Sequence, residues 1–131
     1  MGRRKGSGGL TPLELEIMQV LWRTGPANVQ AVRGALGARR DLAYTTVQTM
    51  LNLLHRKGKV NRTLRDRSYY YRPAVTRRRE IGHMVRDVVT RLFGGSAEQL
   101  VQSLMDTRQL TPETLERLAA ALDRGEGHDG D

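Results

Sequence analysis

The side chains best equipped for chemistry lie between residues 41 and 72, DLAYTTVQTMLNLLHRKGKVNRTLRDRSYYYR. Tyr44, Thr45, Thr46, Gln48, Thr49 and Asn52 gather hydrogen-bonding groups at the start of an amphipathic run. Arg62, Arg65 and Arg67 follow in a short segment that ends in tyrosines. Glutamine can hold adenine through two hydrogen bonds, and threonine can pair with a base or touch the thymine methyl. Asn52, one turn further on, is placed to reach a base or a phosphate. The arginines suit phosphates or the adjacent minor groove. This is chemistry for reading a nucleic acid rather than for breaking bonds. Singly, each feature has a plainer explanation, because threonine and glutamine on a helix are usually just solvated and basic hairpins commonly guard a sheet edge. The joint arrangement is what singles the segment out.

Groups for covalent or metal chemistry are missing from the pattern. His55, His83 and His128 share no ligand spacing, cysteine is absent, and no HExxH, GxxxxGK[ST] or GxSxG occurs. No enzyme, metal or other cofactor is expected. The formal charge is +8, and it is unevenly spread: residues 11–75 hold eleven basic and four acidic side chains, residues 76–131 eight and ten. A basic front half beside a near-neutral back half points to a polyanion-binding domain with a separate, non-binding part. An arginine-rich composition alone would not produce that asymmetry. With 131 residues, 38% hydrophobic, one Trp and one Phe, the core is expected to be small and built from Leu and Val. The absence of cysteine excludes a disulfide scaffold and fits a cytoplasmic location. No apolar run approaches the roughly 20 residues of a membrane span. MGRRKGSGG has no apolar stretch behind its basic residues, and Gly6 breaks the myristoylation pattern.

Three helices must position the polar cluster. Thr11-Pro12-Leu13-Glu14 is a helix start with a capping box, followed by an apolar stripe through Leu13, Ile17, Val20 and Leu21 up to Gly25-Pro26. Residues 27–36 form a shorter second helix with Asn28 as a plausible cap. The third spans 42–57, with Val47, Met50, Leu51 and Leu54 facing inward and Gly58 as its stop. Strands are expected at 59–64 and 68–72, joined by a short hairpin connection. A long helix over 76–93 carries Ile81, Val85, Val88 and Leu92 at near-heptad spacing. Ser96-x-x-Gln99 and Thr111-Pro112-Glu113 open two more helices, with Leu100 and Leu104 on one and Leu115, Leu118 and Leu122 on the other.

Helix, helix, helix, hairpin is the order of a winged helix-turn-helix, whose third helix enters the major groove. The expected fold is mainly α with a small β-hairpin: a flexible basic arm at 1–9, a winged-helix domain at 10–75, a helical dimerisation domain at 76–123 and a disordered tail at 124–131. The apolar stripes at 81–92, 100–104 and 115–122 are most economically buried against a second copy. A two-fold homodimer suits a palindromic double-stranded operator. The alternative is a winged helix that docks RNA or protein without reading DNA sequence.

The stretches LTPLELEIMQVLW, AYTTVQTMLNLLHRKGKV and SYYYRP, together with Gly94-Gly95 and the LT–E–L helix of 110–122, resemble the BlaI/MecI-type repressors of penicillinase and methicillin-resistance genes. That group also includes copper-responsive repressors. The resemblance runs from Leu10 to Asp123. It implies an N-terminal winged helix that binds DNA, a C-terminal helical part that dimerises, and repression at a promoter operator. In several members a membrane-bound zinc metalloprotease sensor cleaves the dimerisation part. The Asn-Phe pair cut in β-lactam-responsive members falls on Ser103-Leu104, a departure from that pattern. The copper members' cysteine motif is absent, which excludes that mode of sensing. The family's base-contacting positions match Thr45, Thr46, Gln48 and Thr49. Basic residues are common there in the family, and their absence implies a different operator or more reliance on the wing.

Overall fold

The structure, a computed structural model, describes residues 9–125. Helices α1 (Pro12–Thr24), α2 (Val29–Leu36) and α3 (Tyr44–Arg56) are followed by strands β1 (Val60–Arg65) and β2 (Ser68–Pro73), then by α4 (Arg77–Phe93), α5 (Ala97–Asp106) and α6 (Pro112–Asp123). The chain divides into two compact units, the first ending at Glu80 and the second beginning at Ile81. The expected arm at 1–9 and tail at 124–131 lie almost wholly outside the described residues.

Local chemistry sets the element ends. Glu14 N–H donates to Thr11 Oγ1 at 3.2 Å, and Thr11 N–H donates to Glu14 Oε1 at 2.9 Å, closing the capping box. The Glu14 carboxylate is buried and also takes Lys57 Nζ at 2.8 Å, so the start of α1 is tied to the end of α3. Asn28 caps α2 through Ala31 N–H at 2.9 Å. At the end of α3, Gly58 N–H bonds His55 O and Lys59 N–H bonds Leu54 O. This Schellman pair needs the left-handed φ of 78° that glycine adopts without penalty. The hairpin register pairs Arg65 with Ser68, leaving a two-residue turn of Asp66 and Arg67 with φ of 49° and 70°. Two positive φ values make a type I′ turn, whose twist matches the flanking strands.

Ile17, Met18, Leu21, Val32, Val47, Leu51 and Leu54 fill the interior between the three helices, and Val60 and Tyr71 close it from the hairpin. Their 3.6-residue spacing on α1 and α3 is the reason these helices pack where they do. Trp22 packs against this core and donates its indole N–H to Val75 O at 3.0 Å.

Three departures from the sequence expectations bear on how the elements of the first unit are placed. Ala27 is not helical: it exchanges backbone hydrogen bonds with Tyr71 at 3.0 and 2.8 Å, an isolated antiparallel bridge beside the two-stranded sheet. Helix α2 therefore begins at Val29, where Asn28 can cap it. Helix α3 starts at Tyr44 rather than at residue 42, because Leu42 is held outside it, its carbonyl accepting Arg33 Nε at 2.7 Å. The first unit extends past the expected boundary at residue 75. Glu80, in the first turn of α4, is buried and binds Lys59 Nζ at 2.9 and 3.2 Å, so that turn belongs with the hairpin.

The second unit has a different character. No hydrophobic residue of α4, α5 or α6 is buried, and Leu92, Leu118 and Leu122 are 72%, 52% and 61% exposed. Gly94 and Gly95 end α4, and Ser96 and Thr111 cap α5 and α6.

Candidate nucleic-acid interface

Helix α3 presents opposite faces to core and solvent because Val47, Leu51 and Leu54 recur at helical spacing. With that face buried, Thr45, Gln48 and Thr49 must point away, and they are exposed along with Thr46 and Tyr44. Thr45, Thr46, Gln48 and Thr49 carry no side-chain hydrogen bond among the described residues, so their donors and acceptors remain available. The N-cap of α3 is Ala43, which has no side-chain acceptor, whereas Thr11, Asn28, Ser96 and Thr111 cap their helices.

The turn before α3 is anchored from the side. Arg40 binds Glu16 through Nε at 3.0 and 3.1 Å and through Nη2 at 2.6 Å, tying the short 3-10 helix Ala38–Arg40 to α1. This hydrogen bonding, reinforced by the charge of Arg40 and Arg39, holds the Glu16 carboxyl below the usual carboxylate range despite some desolvation. The anchor fixes where α3 begins, and hence where Tyr44 and Thr45 stand.

The wing arginines differ from one another. Arg67 sits exposed in the hairpin turn, and Arg65 is exposed with its guanidinium 4.6 Å from the centre of the Tyr70 ring. Arg62 is half-buried, 4.2 Å from the centre of the Tyr69 ring, and donates to Asn52 Oδ1 at 2.9 Å. The Asn52 carbonyl oxygen also accepts the Tyr71 hydroxyl at 2.9 Å. Asn52 and Arg62, expected to face DNA, thus contact each other, because hairpin residue 62 crosses α3 at the turn that carries residue 52.

A cleft of about 310 Å³ opens between the start of α2, the start of α3 and the returning strand. Tyr44, Gln48 and Arg67 line it, and so do Asn28, Gln30 and Tyr69. Sequence reasoning missed these last three as functional candidates. Asn28 was legible only as a cap, and nothing in the spacing of Gln30 or Tyr69 signals that the hairpin folds back beside them. Among the described residues no group of three His, Asp or Glu side chains could hold a metal, and no helix is long and apolar enough to cross a membrane.

The family model described as Penicillinase repressor matches residues 10–124. The chain belongs to the penicillinase repressor family. Members of this family are DNA-binding transcriptional repressors, not enzymes. The chain is 35% identical to Transcriptional regulator BlaI of Mycobacterium tuberculosis over 122 residues, covering 91% of this chain and 88% of that one. It is 26% identical to Penicillinase repressor of Bacillus licheniformis, covering 87% and 89%. Among solved structures it is similar to the DNA-binding domain of the repressor BlaI, at 31% identity, 52% of this chain, 83% of that one and a TM-score of 0.48. It is also similar to the monomeric form of Bacillus licheniformis BlaI in complex with the blaP half-operator, at 30% identity, 53% and 85% coverage and a TM-score of 0.47.

The remaining residues expected from the sequence to serve dimerisation or cleavage lie on the second unit. Val85, Val88, Leu92, Leu115, Leu118 and Leu122 are exposed, while Ile81, Leu100 and Leu104 are half-buried. The Ser103-Leu104 bond lies inside α5, with Ser103 O accepting Thr107 Oγ1 at 2.8 Å.

Proposed function

We propose that the chain is a sequence-specific transcriptional repressor that binds a palindromic DNA operator as a homodimer. Each copy lays the N-terminal half of α3 in a major groove and its wing along adjacent phosphates. The observation that carries this reading is the row Thr45, Gln48 and Thr49, exposed and without internal partners beside a basic hairpin, in a chain of the penicillinase repressor family. Thr46 and Tyr44 flank the row. Arg65 and Arg67 serve the phosphates.

Dimerisation is supported by the second unit, whose helices lack a buried hydrophobic residue and expose Val85, Val88, Leu92, Leu115, Leu118 and Leu122. A two-fold copy removes such stripes from water and sets two reading helices on half-sites about one helical turn apart, or a multiple of it. For control, the family resemblance implies cleavage in the helical unit by a membrane-bound zinc metalloprotease sensor. The Ser103-Leu104 bond is helical, so cutting there requires local opening of α5 first. Separation of the copies then lowers operator affinity by removing the effective concentration of the second reading helix.

Gel shifts of the full chain at fixed salt test the reading. The upstream region of its own gene is compared with random DNA and with RNA. Tight binding to the upstream region alone is expected. Equal affinity for all three would replace sequence-specific repression with a general nucleic-acid docking role.

A further inference from the structure

We infer that Asn52 is a positioning residue that fixes the wing against α3, acting through Arg62 and Tyr71 instead of touching DNA. The inference rests on the DNA-reading role of α3 and the wing proposed above. Asn52 is half-buried on α3, one turn beyond Gln48 and Thr49. Its Oδ1 receives Arg62 Nη1 and the Tyr71 hydroxyl, both at 2.9 Å. Two donors converging on one atom fix the amide orientation, because the NH₂ group turned into that place would face both donors.

Arg62 and Tyr71 are direct register partners on β1 and β2. A single atom of α3 therefore holds both strands at one rung of the hairpin. Each donor is itself anchored. Tyr71 is 2% exposed and paired through its backbone with Ala27, and Arg62 lies over the Tyr69 ring, whose centre is 6.4 Å from that of Tyr71. Beyond this rung β1 runs out into solvent, with Thr63, Leu64 and Arg65 all exposed, while on β2 the half-buried Tyr70 hydroxyl accepts a longer bond of 3.4 Å from Asn28 Nδ2 of α2. No other side-chain hydrogen bond joins α3 to the hairpin among the described residues. The part of a two-stranded hairpin that projects beyond its packed end is marginal by itself in water, so its direction depends on such ties. A wing held in its bound direction spares the ordering cost of binding.

The node demands an acceptor with two free lone pairs, a need that aspartate meets and leucine does not. A residue facing phosphates has the opposite requirement, since a carboxylate there is repelled. Three variants of the full chain, Asn52→Asp, Asn52→Leu and Tyr71→Phe, separate the two roles. Operator affinity is measured across a salt series, and amide hydrogen exchange of residues 63–70 is followed without DNA. Asn52→Leu is expected to bind about tenfold more weakly, as the wing must be ordered on binding. Its salt slope should fall by roughly one phosphate contact, and its wing amides should exchange faster. Tyr71→Phe should move all three readouts the same way, by less. Asn52→Asp should recover most of the affinity, the slope and the protection. An Asn52→Asp variant weaker than Asn52→Leu would put Asn52 on the DNA and overturn the inference. So would an Asn52→Leu variant with wild-type slope and wild-type wing protection. Wild-type protein without operator preference would defeat the DNA reading, while the exchange data would still decide the node.

Discussion

Replacing Glu80 by alanine should destabilise the first unit far more than a charge in a helix's first turn ordinarily would. Lys59 and Glu80 are 7% and 6% exposed at their side chains, and the ammonium contacts both carboxylate oxygens. Alanine is the best helix former, so α4 itself loses only the favourable interaction of a first-turn carboxylate with the helix dipole, about 0.3–1 kcal/mol. What remains is an ammonium shut away from water with its partner gone. Breaking a buried pair from one side costs ~3–5 kcal/mol. Small domains have a total stability of only about 5–15 kcal/mol, so the loss takes a large share. For a unit of this size the midpoint of thermal unfolding should drop by roughly 12 °C or more. Trp22 is the only tryptophan and belongs to the first unit, where its indole bonds Val75 O, so its fluorescence reports this unit alone. The double variant Lys59→Met/Glu80→Leu should return to within about 1 kcal/mol of wild type, since an apolar pair of similar volume replaces a buried ion pair at little cost. The exposed Glu16–Arg40 pair is the internal control, and Arg40→Ala should move the midpoint by only a small fraction of the Glu80→Ala shift. A Glu80→Ala loss below about 1 kcal/mol, or a double variant as unstable as the single, would refute the assignment of this pair to the folded interior.

Other outcomes follow from the same contacts. A fragment ending after Glu80 should sediment as a monomer while the full chain sediments as a dimer, and a fragment ending at residue 75 should be markedly less stable because Lys59 loses its partner; equal oligomeric state of the first fragment and the full chain would move dimerisation out of the second unit. Gln48→Ala should relax preference at one base position and cost roughly 1–3 kcal/mol in operator binding; a uniform loss across all sequences would remove Gln48 from base reading. Arg67→Gly should stabilise the hairpin by about 1 kcal/mol, since Arg67 holds a φ of 70°, while lowering the salt slope of DNA binding by about one contact; an unchanged slope would count against a phosphate at the tip. The Glu16 carboxyl is held below its ordinary range by the hydrogen bond from Arg40, so its contribution is present above the unfolded-state value and lost as the pH falls through the depressed one; Glu16→Gln should therefore flatten the acid limb of a stability–pH curve, and an unaltered limb would contradict the contact.

The helices were legible because their signals are local. Thr11 and Glu14, Asn28, Ser96 and Thr111 announce starts within four residues of the atoms they bond, and Gly58 marks a stop through its own φ. The apolar period on α3 likewise identified Thr45, Gln48 and Thr49 as outward-facing, because burying Val47, Leu51 and Leu54 leaves no other direction for them. Ala27 was misread as helical because its strand partner, Tyr71, is distant in sequence. The end of the first unit was misplaced for the same reason: nothing near Glu80 in the chain says that its carboxylate will meet Lys59.

By itself, the sequence determined the order of elements, the face of α3 that looks outward, the basic front half and the apolar stripes behind it, since period, capping and charge are properties of neighbours along the chain. Tertiary structure alone decided which polar residues are left free. Asn52 and Arg62 have the same hydrogen-bonding chemistry as Gln48 and Arg67, yet the crossing of the hairpin over α3 takes the first pair into an internal node. Glu80 and Lys59 look like any surface charges until packing removes the water around them. Composition fixes what a side chain can bond. Only the folded path of the chain fixes which partners are within reach.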